Sequence, residues 1–277
     1  MTPRYTLHHG DALAIMPVLE ENSVDCIIAD PPYGTTACKW DSVIPFEPMW
    51  ACIKHVLKPK GACVLFGSQP FTSALVMSNV QWFKYEWVWK KSRASGFLHA
   101  KNAPLKSHEN MVVFSLSPVA HETKNENRMF YHPQMSKGEP YRKFNRTEIK
   151  HRWGGIGRPS NTDYLLVNNG ERYPTSVVDF SHHNFGLVHP TQKPVPLLEY
   201  LIKTYTNEGD TVLDFTMGSG TTGVGCARTN RKFIGIELDP TYFEVAQARI
   251  MNAYGDFVPT PKEKARPQLS LLERIQS

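Results

Sequence analysis

The chain has 277 residues, 41% hydrophobic and 21% charged, with a formal net charge of +5. That is an ordinary soluble composition with core enough for one α/β domain and an insertion. No apolar run reaches the length of a bilayer-crossing helix and the N-terminus lacks a signal-peptide pattern, so a cytoplasmic protein is expected, with no membrane partner.

In chain order, Tyr5–His8 reads as a short strand ending near Asp11, and Ala12–Glu20 as a helix. Val24–Asp30 is a β-branched apolar run that reads as a buried strand, stopped by Pro31-Pro32, which remove two backbone donors. Phe46–Leu57 has helical periodicity and ends near Pro59-Lys60-Gly61; Ala62–Phe66 is a strand, Pro70–Ser78 a helix and Trp82–Trp89 a strand. The segment Lys90–Lys106 reads as an exposed, mobile loop, and the pattern then dissolves between Ser117 and Gly186. Aromatics there, among them Phe130, Tyr131, Tyr141, Phe144, Trp153, Tyr164 and Tyr173, argue against disorder, so it is expected to be an irregular insert. Alternation resumes with a helix from Val195 to Tyr205, a strand Thr211–Phe215, a glycine turn, a helix Gly223–Arg228 and a strand Phe233–Ile236 ending at Glu237. Leu269, Leu271, Leu272 and Ile275 form a short apolar stripe in the tail, expected to dock on the body. Alternating strands and helices predict a mostly parallel Rossmann-like sheet with helices on both faces.

The five cysteines, Cys26, Cys38, Cys52, Cys63 and Cys226, contain no Cys-x-x-Cys pair and sit among apolar neighbours, which predicts reduced, buried thiols. The histidines are not clustered like ligands, so no metal is expected.

Two strand ends carry the chemistry. After the first comes Asp30-Pro31-Pro32-Tyr33: a carboxylate, rigid carbonyls and an aromatic face at a position where open parallel sheets bind ligands. Asp30 and the Pro31 carbonyl can accept the two N–H donors of an exocyclic amine, and Tyr33 can stack on its ring. After the second comes Asp214-Phe215-Thr216-Met217-Gly218-Ser219-Gly220-Thr221, a strand–glycine turn–helix arrangement, followed at about 20 residues by Glu237 at the next strand end. This pairing suits an adenosine-containing cofactor, with Glu237 toward the ribose hydroxyls.

With both blocks in this order, the chain resembles the beta class of S-adenosylmethionine-dependent DNA amino-methyltransferases, which place the Asp-Pro-Pro-Tyr block first, a target-recognition region next and the glycine-rich block last. Four further stretches match: His9–Leu13, Ser107–Asn110 before an apolar run, His189–Pro194, and Ile236-Glu237 with Tyr242. The resemblance implies catalytic roles for Asp30, Pro31, Pro32 and Tyr33. It implies cofactor contacts from Asp11, Lys193, Asp214, Phe215, Gly218, Ser219, Gly220, Thr221 and Glu237. The cofactor turn departs from the family pattern at Phe215, where proline is usual, and at Thr216, where an aromatic is usual. The implied organisation is a catalytic half over 1–117, target recognition over 118–187, a cofactor half over 188–256 and a tail over 257–277.

The resemblance implies double-stranded DNA as partner and a target base flipped out of the helix. Relatives are often dimers, though no residue here establishes a homodimer. Between Phe83 and Lys106 six cations face one acid, and clustered Lys90, Lys91, Arg93 and Lys101 suit phosphate contacts, as does Arg158 in the insert. Aspartate at the first motif position goes more often with adenine N6 than with cytosine N4 in the family, so adenine is favoured and cytosine is the alternative. RNA is a further possible substrate class. A protein-glutamine methyltransferase would carry asparagine first and the opposite motif order.

Overall fold

The computed structural model describes residues 3–35, 41–120, 124–145, 164–181 and 192–255. In the first half the elements are β1 (Tyr5–His9), α1 (Ala12–Ile15), β2 (Val24–Ala29), α2 (Phe46–Val56), β3 (Leu57–Gly67), α3 (Phe71–Ser78), β4 (Phe83–Ser95) and β5 (Lys106–Phe114). Short strands follow: β6 (Ser136–Lys137), β7 (Tyr141–Asn145), β8 (Tyr164–Asn168), β9 (Glu171–Arg172) and β10 (Val177–Phe180). The last part is α4 (Val195–Tyr205), β11 (Thr211–Asp214), α5 (Thr221–Arg228), β12 (Lys232–Glu237) and α6 (Pro240–Ala253).

Eight strands form one sheet in the order β1-β12-β11-β2-β3-β5-β4-β10. All neighbours run parallel except at β5, which is antiparallel to both β3 and β4. Strict alternation explains why the central strands look uniformly apolar in sequence. On β2, Cys26 and Ile28 face the layer of α4, α5 and α6, while Ile27 and Ala29 face the layer of α1, α2 and α3. Ala62, Val64 and Phe66 of β3 likewise oppose Cys63 and Leu65. A strand buried on both faces cannot show a polar period. From β11 the chain steps to β12 on one side; from β2 it steps to β3 on the other. The C-terminal ends of β11 and β2 therefore flank the point where strand order reverses, the place where open α/β sheets bind ligands.

The chain divides into two compact units, one comprising Met1–His132 with Ser176–Ser277 and the other Pro133–Thr175. In the smaller, β7 pairs antiparallel with β8 and β6 with β9. The large sheet lies wholly in the other.

Several expected boundaries move, for identifiable reasons. The helix expected over Ala12–Glu20 stops at Ile15 and tightens into a 3₁₀ turn, Met16–Val18, because Pro17 cannot donate back and would clash one turn earlier. Strand β3 starts at Leu57 rather than Ala62: a register irregularity between Val24 and Cys26 absorbs Pro59-Lys60-Gly61 as a bulge. The loop expected from Lys90 is strand as far as Ser95: Lys90 lies opposite His108 of β5 and Asp179 of β10, and beyond Lys91 β5 alone carries the pairing, Ser95 opposite Lys106. Strand β10, inside the stretch expected to be irregular, joins the main sheet. Trp87 and Trp89 are buried on one face of β4.

Among the described residues no helix is long and apolar enough to cross a membrane and no His, Cys, Asp and Glu cluster could hold a metal. Cys26, Cys52, Cys63 and Cys226 are buried free thiols. Cys38, Arg158 and the apolar stripe of the tail lie outside the described residues.

Candidate active site

A cavity of about 680 Å³ opens at the C-terminal ends of β2 and β11, and both loops singled out in the sequence line it: Asp30–Tyr33 on one wall, Thr216–Ser219 on the other. Asp11, Glu237 and Lys193 complete it.

On the β11 side the glycine turn has a specific backbone. Gly218 and Gly220 have φ of +51° and +76°, where side chains are strained. A Cβ on Gly220 would meet Ala246 of α6 at 3.0 Å and the Ile250 Cδ1 at 2.9 Å, so this glycine lets α5 start against α6. A Cβ on Gly218 would meet nothing within 4 Å; it would stand in the cavity. Glu237 accepts from the backbone N–H of Gly218 at 2.8 Å and of Asp239 at 2.8 Å, tying the β12 end to the turn. Burial pushes its carboxyl up, against the hydrogen bonds that it accepts. Asp214 is buried, accepting from Thr222 Oγ1 at 2.6 Å and Thr216 N at 3.1 Å, and burial raises its pKa to about 7. Arg249 reaches from α6 to the Ser219 carbonyl and to Ser219 Oγ at 2.9 Å. Thr221 begins α5, buried. Asp11 caps α1 through the Leu13 N–H at 2.8 Å. Phe215 sits in the core beneath the crevice, packed in the layer of α1, α2 and α3.

These groups fit an adenosine-type cofactor. The wall next to Gly218 is open where any side chain would intrude, and a carboxylate stands at the neighbouring strand end.

The β2 side carries a network of charges. Asp30 accepts from the Tyr33 hydroxyl and, on its other oxygen, from Lys193 Nζ at 2.5 Å. Lys193 also lies 3.2 Å from Glu109 Oε2 and 5.0 Å from the centre of the Phe66 ring. Glu109 in turn pairs with Lys91 at 3.1 Å. Two cations and two carboxylates thus balance within one wall. Burial pushes Lys193 down, but Asp30 and Glu109 outweigh it, and the net shift is up. Burial pushes Glu109 up, yet Lys193 and then Lys91 outweigh it, and the net shift is down. The Tyr33 hydroxyl is held well above its usual range by burial and then by the Asp30 charge, so it acts as a neutral donor. Its ring stacks on Phe71, centroids 5.1 Å apart. The loop is clamped from below by Asp41, which accepts from the backbone N–H of Tyr33 at 2.8 Å, Gly34 at 2.8 Å and Thr35 at 2.9 Å.

Several of these side chains take partners other than those expected of them. Lys193, expected at the cofactor, spends its ammonium between Asp30 and Glu109. Lys91, expected on the surface for phosphate contact, is turned inward with its side chain 12% exposed, because Glu109 needs a second cation. Lys90 is exposed and 3.4 Å from Asp179, while Arg93 and Lys101 are exposed. Asp41, Glu109 and Arg249 had no assigned role. The only sequence signal for Glu109 is its place in Ser107–Asn110; Asp41 and Arg249 stand in no motif.

A mostly parallel sheet with a cofactor crevice at its reversal point and an Asp-Pro-Pro-Tyr wall opposite defines a methyltransferase-type α/β domain. The family model described as "DNA methylase" (N6_N4_Mtase) matches residues 24–248, and the chain belongs to that family. It is 28% identical over 267 residues to the Type II methyltransferase M.HpaI of Haemophilus parainfluenzae, covering 90% of this chain and 74% of that one. It is 30% identical over 268 residues to the DNA adenine methyltransferase YhdJ of Escherichia coli strain K12, covering 88% and 82%. Among solved structures, the M1.HpyAVI–SAM complex superposes with a TM-score of 0.56 at 25% identity, covering 89% of this chain and 98% of that one.

Proposed function

We propose that this chain methylates the exocyclic N6 amine of adenine in double-stranded DNA, using S-adenosylmethionine, in the cytoplasm. The observation that carries the reading is the meeting of Asp30 and the Gly218 turn, far apart in sequence, on facing walls of one cavity. The relative named as a DNA adenine methyltransferase and the neighbour solved with SAM support the base and the cofactor.

The cofactor, when bound, supplies a methyl group on a sulfonium, an electrophile that already carries its leaving group. Glu237, Asp11 and the Gly218 turn would hold it. The protein's remaining task is alignment and charge placement. The adenine amine is a poor nucleophile because its lone pair is delocalised into the ring. N–H bonds to Asp30 and to the Pro31 carbonyl favour a pyramidal nitrogen and free that lone pair. Asp30 keeps lone pairs for this beside Tyr33 and Lys193, since each carboxylate oxygen offers two. It then faces the positive charge that grows on the nitrogen. The amine becomes acidic only after methylation, so Asp30 acts as an acceptor first. The base is unreachable inside a duplex and must be flipped out, at a cost of a few kcal/mol. The Pro133–Thr175 unit is assigned to target recognition, with Arg93 and Lys101 on phosphates.

The test is transfer of tritiated methyl groups from S-adenosylmethionine to unmethylated genomic DNA, followed by nucleoside analysis. Label in N6-methyladenine is expected. Label in N4-methylcytosine would select the alternative base, and label confined to RNA or protein would overturn the reading.

A further inference from the structure

Among the described residues, the connection between β4 and β5 carries the most exposed large apolar side chain, Leu98. Gly96, at φ +92°, opens a 3₁₀ turn over Phe97–His99, and His99 N bonds the Gly96 carbonyl at 2.9 Å. Asn102 N and Ala103 N both bond the His99 carbonyl, at 2.8 and 2.9 Å. The tip is therefore ordered by its own backbone. Yet it presents its large side chains outward: Leu98 is 97% exposed and Phe97 69%. A single exposed leucine is ordinary; two adjacent large apolar groups held on a rigid turn are not explained by packing.

Strand β4 runs parallel to β10 and antiparallel to β5, so its C-terminal end lies on the same sheet edge as those of β2 and β3. The turn therefore emerges on the edge that carries Asp30. Its base is joined to the site: Lys106 donates to Ser68, just past the β3 end, and Glu109 is linked through Lys193 to Asp30. Strand β5 is two places from β2, about 10 Å at the usual strand spacing. That is within a DNA groove width of about 12 Å. Charge points the same way. Between Ser92 and Lys106 stand Arg93, Lys101 and Lys106 with no acid.

We infer that the β4–β5 turn enters the DNA duplex beside the target base, with Leu98 as an apolar wedge that fills the space the extruded base leaves and Phe97 packed next to it. Apolar side chains on basic elements unstack and wedge base steps in other DNA complexes. Here the wedge lowers the cost of holding the base in the Asp30 pocket. This inference rests on the proposed base-flipping activity.

The test uses the full chain and two duplexes carrying the site mapped by modification-sensitive sequencing. One has thymine opposite the target adenine; the other has an abasic position there, leaving no partner strand base to stabilise. Methyl transfer by the wild-type chain to the paired duplex checks the function itself. Leu98→Ala is expected to lower kcat/KM on the paired duplex about tenfold or more, and on the abasic duplex by less than about threefold, since extrusion there needs little help. Leu98→Met should recover most of the loss. Equal losses on both duplexes, or no loss on the paired one, would overturn the wedge while leaving the methyltransferase reading intact. Leu98 is exposed, so the substitution should leave the unfolding midpoint unchanged.

Discussion

Asp30 is held by the Tyr33 hydroxyl and by Lys193, on a loop whose backbone Asp41 fixes. Replacing Asp30 with alanine removes the acceptor that faces the reacting amine; methyl transfer should fall about 100- to 1,000-fold, while calorimetry shows near wild-type cofactor affinity. Near-normal turnover would remove Asp30 from the reaction. Asp41 lines the cavity and satisfies three consecutive backbone N–H groups of the motif loop. Asp41→Ala should cost about 1–3 kcal/mol in denaturant unfolding and lower turnover. Asp41→Asn, which keeps an oxygen for Tyr33 and Gly34, should recover most of both. Lys193 is the shared cation of two carboxylates, so Lys193→Met should destabilise toward the lower end of about 3–5 kcal/mol. Adding Glu109→Gln should cost less than the two changes summed, because the second removes a repulsion the first creates. Additive losses would show that the network does not act as a unit.

Asp214 gives a pH signature. Its folded pKa, about 7, lies above the ordinary carboxylate value of 3.8, so the folded protein binds its proton more tightly than the unfolded chain. Its contribution is therefore fully present below about pH 4, declines as pH rises and is lost above about 7. Stability curves from pH 5 to 7.5 should slope downward, and Asp214→Asn should flatten that slope. Glu109, shifted down, works in the opposite sense, its stabilising contribution vanishing only as pH falls below the usual carboxylate range.

At the scale of elements, the strand–turn–helix unit over β11 and α5 separates two roles of glycine. Gly220→Ala forces a Cβ against the Ala246 backbone at 3.0 Å in a left-handed conformation and should cost about 1–3 kcal/mol of stability. Gly218→Ala meets open space, so its stability cost should stay near the strain of positive φ, about 1 kcal/mol. Its main effect should be weaker cofactor binding, because the methyl group stands in the cavity. If Gly218→Ala bound cofactor normally, the turn would not be the cofactor wall. Element boundaries moved where a neighbour intervened: β4 runs past Lys90 because β10 pairs it as far as Lys91 and β5 as far as Ser95, which no local pattern announces.

For the whole molecule, the division into units predicts separable behaviour. Replacing Pro133–Thr175 with a short Gly/Ser linker should leave the larger unit folded, with cooperative unfolding and cofactor binding. Site-specific methylation of duplex DNA should be lost. Retained sequence preference in methylated product would place base reading elsewhere.

The sequence by itself determined the layered α/β architecture, the two strand ends and most of the residues on them, because periodicity and turn chemistry are local and the motif order is specific. It also placed the turn glycines, Gly218 and Gly220, whose backbone demands are written in their identity. Only the tertiary structure decided who faces whom. Lys91, Glu109 and Lys193 come from three distant stretches, and their pairing follows from burial: a carboxylate taken out of water needs cations beside it. Asp41 found its partners six to eight residues back across a loop and Arg249 found its own across a helix, contacts fixed by the path of the chain and announced by no periodicity.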